Sequence, residues 1–216
     1  MLTDVVYNDL RSKILSLTLK PGTPLSFSNL KPRYGVSISP IRDALKRLET
    51  EGLVEIKPQS GTSVSLIDLA GVRDERFRRL YLELGAIEKA FNQGITAQLI
   101  ERWEDSIRKQ KEMFDCRDTA AFLELDNSMH RLLFEACGHE KVFDAMISAS
   151  GNYHRIRMVS YLFDDIFSHA ISQHEDILLA LKSGSPGNVL EIERNHISKI
   201  ETEASGYQKA YPQYFK

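Results

Sequence analysis

Residues 36–66 constrain the fold more than any other stretch. Val36-Ser37-Ile38-Ser39-Pro40 runs into Ile41-Arg42-Asp43-Ala44-Leu45-Lys46-Arg47-Leu48-Glu49 and closes on Glu51-Gly52. Ser39 is a favoured N-cap type and Pro40 suits a first helical position, so a helix is expected from there. Ile41, Leu45 and Leu48 share its apolar face. Leu53–Ile56 and Thr62–Ser65 then alternate as two short strands around the turn Pro58-Gln59-Ser60-Gly61. Upstream, Val6, Leu10, Ile14 and Leu17 mark an amphipathic helix that Lys20-Pro21-Gly22 ends. A shorter segment from Ser26 to Tyr34 carries Pro32, tolerated only near a helix's first turn, so it is expected to be short or distorted.

The first 66 residues therefore read helix, short helix, helix, β-hairpin, the order of a winged helix-turn-helix. The third helix opens on small polar residues and a basic one, as suits a helix that lies in a major groove. The hairpin tip is small and polar, suited to a phosphate backbone. Charge agrees: residues 1–66 carry +3 and the remaining 150 carry −5, within a net −2. A basic piece on an acidic remainder fits a polyanion-binding module.

Ile67–Val72 reads as a linker, and from Arg73 onward the chain is helical almost throughout. Helices are expected at about 73–92, 96–115, 118–136, 139–160, 164–182 and 188–208. Breaks fall at Gly94, Asp115-Cys116, Gly138-His139 and Ser183–Gly187. Six helices in such a length make an antiparallel bundle. The expected fold is mainly α: a winged helix-turn-helix with a small β-hairpin wing over 1–66, a linker at 67–72, and an all-α bundle over 73–216. The 216 residues, 42% apolar and 27% charged, suit one large or two small globular domains rather than a disordered chain. No apolar run approaches the roughly 20 residues of a membrane span, and Met1-Leu2-Thr3-Asp4 lacks the features of a signal peptide. Cys116 and Cys137 form no CxxC pair, so a cytoplasmic protein with reduced thiols is expected, Cys137 packing in the core.

Asp126 and His130 stand four residues apart, on one helix face bordered by Phe122, Leu125, Met129 and Leu133. His174 and His196 fall on the last two helices. A carboxylate and three imidazoles suit Zn²⁺, Ni²⁺, Mn²⁺ or Fe²⁺. By spacing alone, a lone His on an amphipathic helix is more often a core or surface residue than a ligand. His139, His154 and His169 have no such company; Arg155 and Arg157 read as surface or pocket residues.

With these patterns in place, the chain resembles the GntR family of bacterial regulators. The resemblance runs through Val36-Ser37-x-Ser39-Pro40-Ile41-Arg42-Asp43-Ala44-Leu45-x-x-Leu48-x-x-x-Gly52-Leu53-Val54, then Gly61 and Val64. The later pattern Arg79-x-x-Leu82-Glu83, Asp126-x-x-x-His130, His174 and His196 resembles the FCD effector domain of the FadR subfamily. The resemblance implies a homodimeric repressor on a palindromic double-stranded operator, with Asp126, His130, His174 and His196 around a divalent metal. It also implies a small organic acid as effector, for which Arg79 is the candidate arginine. Ser37, Ile38, Ser39 and Arg42 are the expected base-reading residues; Lys46, Lys57 and Gln59 are the expected phosphate contacts. Ile38 stands where the family usually has Arg, and Ser28 near a common basic position, so an operator unlike the family's commonest one is expected. The alternative is a metal-dependent helical-bundle enzyme acting on a small organic acid. Against it, Glu193-x-x-His196 occurs once where a di-iron bundle needs two copies, and no GxSxG, P-loop or Rossmann fingerprint is present.

Overall fold

Helix α1 (Leu2–Leu15) buries Val6, Leu10 and Ile14, the positions its periodicity picks out. Helix α2 (Phe27–Tyr34) is capped by Ser26, whose hydroxyl accepts from the Asn29 amide, and ends at Gly35 in the left-handed region, φ 62°. Its eight residues contain Pro32 and stay short, as expected. Helix α3 (Ile38–Thr50) begins two residues earlier than Ser39-Pro40 suggests, with Ser37 as its N-cap. Pro40 is then third in the helix, which costs little because first-turn N–H groups have no intrahelical acceptor. The structure, a computed structural model, describes residues 2–163 and 166–216. Met1 and the first two residues of the expected 164–182 helix lie outside those described.

The wing pairs β1 (Val54–Lys57) with β2 (Gly61–Val64), from Val54 opposite Val64 to Lys57 opposite Gly61. Each strand is shifted one residue from its expected span. Leu53 is drawn off the ladder because its amide donates to the Leu48 carbonyl at the end of α3. The α1–α2 loop adds a third edge, with Leu25 N donating to Thr62 O (2.8 Å) and Val64 N to Thr23 O (2.9 Å). Ile41, Ala44, Leu45 and Leu48 of α3 are fully buried against Leu10, Ile14, Leu30 and Leu53. Removing a methyl-rich side chain there leaves a void that so small a core closes poorly. Leu45→Ala is expected to cost about 2–5 kcal/mol, read as a lowered denaturant midpoint at unchanged slope.

The remaining helices are α4 (Leu69–Gln93), α5 (Ala97–Cys116), α6 (Thr119–Ala136), α7 (Glu140–Ser148), α8 (Gly151–Ser160), α9 (Ile166–Lys182) and α10 (Pro186–Ala210). A 3-10 turn at Pro212–Tyr214 follows. Two expectations are corrected. The segment 67–72 is not a free linker: Ile67 is buried and pairs with Phe215, its amide donating to Tyr214 O (2.8 Å), and Asp68 caps α4. The expected helix 139–160 is two helices. Ser150 Oγ takes the Met146 carbonyl (2.7 Å), a local bond that competes with the helical ladder. Gly151 also sits so close to Leu53 that a Cβ there would lie 2.7 Å from its Cδ2.

Helix α6 runs through the bundle, burying Phe122, Leu123, Met129 and Leu133 against Trp103 of α5 and Ile87 of α4. Cys137 packs in the same core, and both cysteines are free. A second core, Ile67, Tyr153, Ile156, Val159, Ile200, Tyr207 and Phe215, packs the segment after the wing and the C-terminal turn against α8 and α10, with Leu17 from just after α1 against it. Among the described residues, no helix is long and apolar enough to cross a membrane.

Candidate metal centre and nucleic-acid interface

The i, i+4 spacing of Asp126 and His130 sets both on the buried face of α6. His174 reaches them from α9 and His196 from α10, giving four ligand-type atoms within 4.8 Å of one another. Asp126, His130 and His174 are fully buried and His196 is half-buried. Each imidazole is held from behind. His130 Nδ1 donates to Glu83 Oε2 (2.7 Å), His174 Nδ1 to Gln110 Oε1 (2.7 Å) and His196 Nδ1 to Gln173 Oε1 (2.9 Å). An acceptor behind Nδ1 holds that nitrogen's proton and turns Nε2 forward, which is how metal-binding histidines are oriented. Among the described residues, Asp126 Oδ1, His130 Nε2 and His174 Nε2 are buried without a hydrogen-bond partner. His174 Nε2 and Asp126 Oδ1 stand 3.4 Å apart, two acceptors facing each other.

Buried unpartnered acceptors are costly, and a cation between them removes the cost. Burial works against a charge on His130, but the Glu83 and Glu193 carboxylates outweigh it and raise its pKa to about 10, so without a metal its Nε2 carries a proton that an incoming cation has to displace. Burial lowers His174 and holds His196 well below its usual value, so these rings are neutral. Burial alone would raise Asp126, yet Arg157 and the neighbouring rings keep it well below the carboxylate range. The residues present thus fit a divalent ion with nitrogen and oxygen ligands. Donors about 2.1 Å from one ion span at most about 4.2 Å, so binding asks for a contraction of about half an ångström.

Two arginines flank the cluster. Arg79, the sequence candidate for an effector, is buried on α4 with Nε on Glu83 Oε1 (2.5 Å) and Nη2 3.7 Å from Asp126 Oδ2. That Nη2 is buried and has no hydrogen-bond partner among the described residues. Arg157, which the sequence leaves between a surface and a pocket role, is also buried. Its guanidinium donates to Asp126 Oδ2, and to Asn127 Oδ1 at 3.0 Å. Arg157 lines a cavity of about 50 Å³ beside Asp126, Tyr153, Gln173 and His196, and Arg79 is not among its lining residues. Glu83 and Glu193 were not singled out as site residues. Glu193 is fully buried 3.2 Å from His130 Nδ1, and burial pushes its pKa up to about 7. The signal was present in a glutamate four residues after Arg79 and another three before His196, but neither spacing shows that the three helices meet.

The expected DNA-facing residues stand free of the core. Ser37, Ile38, Ser39, Arg42 and Lys46 are exposed at the N-terminal half of α3, opposite its buried face. Ile38 is 41% exposed, so its side chain is free to make an apolar contact. Arg42 lies over the Phe27 ring at 6.0 Å. Lys57 and Gln59 are exposed at the wing, Gln59 with φ 63° at its tip. Arg47 is different: it pairs with Asp4 (2.9 Å) and covers the Tyr7 ring, holding α1 to α3.

Residues 2–64 match the bacterial regulatory proteins of the gntR family and residues 77–199 match the FCD domain. The chain belongs to the GntR family of bacterial regulators, in the FadR-type branch that carries an FCD domain. Its class is that of the DNA-binding transcriptional regulators, not of enzymes. It is 29% identical to the HTH-type transcriptional repressor RspR of Escherichia coli K12, over 90% of this chain and 85% of that protein. It is also 29% identical to an uncharacterized HTH-type transcriptional regulator in an unstable DNA locus of Streptomyces ambofaciens, over 97% and 88%. The fold matches E. coli McbR/YncC at TM-score 0.76 and 19% identity, covering 98% of this chain and 99% of that one. Listeria monocytogenes Lar matches at 0.67 and 18%, covering 95% and 97%.

Proposed function

We propose that this regulator is a dimeric repressor of a palindromic operator, and that its helical domain binds a divalent metal and a small carboxylate. One observation carries the ligand reading: three ligand-type atoms, Asp126 Oδ1, His130 Nε2 and His174 Nε2, converge in a buried space without hydrogen-bond partners among the described residues. Asp126, His130, His174 and His196 would hold the ion, which supplies Lewis acidity toward an anionic oxygen. Arg157 supplies a second positive group at the cavity wall, and Arg79 adds its unpartnered Nη2 from behind. On the measure by which one water needs about 10–15 Å³, the cavity's 50 Å³ takes a few waters, so a carboxylate with a longer carbon chain must part the helices that line it. That parting is how occupancy would alter DNA affinity; couplings of about 1–3 kcal/mol change affinity roughly 5–150-fold.

Repression is favoured by the name of RspR, and base reading is assigned to Ser37, Ile38, Ser39 and Arg42, with Lys46, Lys57 and Gln59 on phosphates. Selection of genomic fragments by the purified protein at a fixed salt concentration tests the operator reading. An enriched palindrome supports it; folded protein that enriches nothing, with or without Zn²⁺, sinks it. The dimer is assigned to the outer face of α4. There Phe77 and Tyr81, four residues apart, are 58% and 54% exposed with rings 4.5 Å from each other. Phe77→Glu with Tyr81→Glu is expected to shift the protein to monomer by light scattering and weaken operator binding. An unchanged dimer moves the interface elsewhere.

A further inference from the structure

Helix α8 is ten residues long and makes two unlike attachments two residues apart. Arg157 holds Asp126 and Asn127 of α6. Arg155 points the other way and is fully buried. Its Nη1 donates to the Ser65 carbonyl at 2.6 Å, its Nη2 to Asn152 Oδ1 at 3.0 Å and its Nε to Gly151 O at 3.2 Å. Ser65 is the root of the wing: its amide donates to Leu53 O (3.0 Å) and its hydroxyl to Gly52 O. Asn152 Oδ1 also accepts from the Asp68 amide (3.0 Å), so the same cluster grips both ends of the passage from wing to α4. Glu75 steadies the start of α8 by accepting from Asn152 Nδ2 (3.0 Å) and the Tyr153 amide (2.7 Å).

Arg155 makes no direct ion pair with a carboxylate among the described residues; the Glu75 carboxylate, held on Asn152 Nδ2, acts on it only through space. A fully buried guanidinium without one is expensive, and burial lowers the Arg155 pKa to about 10. What the cost maintains is geometry: three oxygens from α8 and the wing root gathered around one planar fork.

We propose that Arg155 is a positioning residue that locks the wing root to α8, and that α8 thereby carries changes at Asp126 to the phosphate-contacting hairpin. This rests on the reading that the Asp126 cavity is where ligand binds. A shift of α8 that follows Arg157 must also move Arg155, because only two helical rises of about 1.5 Å each separate them. The Ser65 carbonyl then follows or loses its donor.

Hydrogen exchange on the full chain, without DNA or metal, tests the link. Arg157→Ala frees α8 from Asp126 and is expected to speed exchange of the wing-root amides, residues 52–66, by about tenfold or more. That is the scale of losing a charge-assisted hydrogen bond. Arg155→Ala is expected to do the same, and the double variant no more than either alone. Arg155→Lys, which keeps a donor for Ser65, is expected to restore both protection and the response to Arg157→Ala. A merely structural arginine would not make the wing root sensitive to Arg157. Unchanged exchange at 52–66 in Arg157→Ala, or effects that multiply in the double variant, overturns the proposal. Should Arg155→Ala fail to fold, the Arg157→Ala result decides alone. Zn²⁺ added to the wild type reads the other hypothesis separately: failure to bind removes the metal centre but leaves the exchange result standing.

Discussion

Metal-free protein titrated with Zn²⁺ is expected to take up one ion per chain and to melt about 5–10 °C higher. At a hundredfold excess over the dissociation constant a ligand specific for the native state contributes about 2.7 kcal/mol, and in a chain of this length each kcal/mol moves the midpoint by about 2–4 °C. His174→Ala removes a ligand whose Nε2 is buried and unpartnered, and should abolish both uptake and shift. Gln110→Ala is the sharper test. It touches no ligand atom, and its only role toward the site is to accept the His174 Nδ1 proton at 2.7 Å. Loss of such an orienting partner weakens metal binding about 10–100-fold. Full affinity in Gln110→Ala would mean that the ring is not oriented for a metal, and full uptake in His174→Ala would place the ion elsewhere.

The second large effect is expected at the reading helix. Arg42 is the one basic base-reading candidate, exposed on α3 with Phe27 beside it. A bidentate arginine–guanine contact is worth about 1–3 kcal/mol, so Arg42→Ala should weaken the selected operator roughly 5–150-fold and relax preference at one base pair. Lys46→Ala should instead weaken all sequences alike and reduce the salt slope by about 0.9, the mark of a phosphate contact. Ile38→Arg should shift the selected sequence toward guanine at one position. An Arg42→Ala protein that binds as before would reassign base reading to the wing.

These expectations show which parts of the molecule short-range pattern reveals. The wing and its supporting helices follow from periodicity and punctuation, because Leu45, Gly52 and Gly61 act within a few residues of their own position. The starts of α3 and β1 were misplaced by one or two residues, where Ser37 replaced Ser39 as cap and Leu48 claimed the Leu53 amide. The split between α7 and α8 was missed because its cause is remote: Gly151 makes room for Leu53, almost a hundred residues earlier. The four candidate ligands could be named through a resemblance, but their orientation could not. It depends on Glu83, Gln110 and Gln173, each from a different helix, and no periodicity links these to the rings they hold. Arg157 was undervalued for the same reason, since its partner Asp126 lies 31 residues away.

The seam between the DNA-binding domain and the bundle has a property that bears on how such proteins diversify. Arg155 reaches across it to the carbonyl of Ser65, and Arg11 to that of Ser148. Both acceptors are main chain, so these two contacts are indifferent to the side chains at positions 65 and 148. Those positions can therefore drift, and a reading helix with a new sequence preference can be carried on the same sensor, without either contact having to be reinvented.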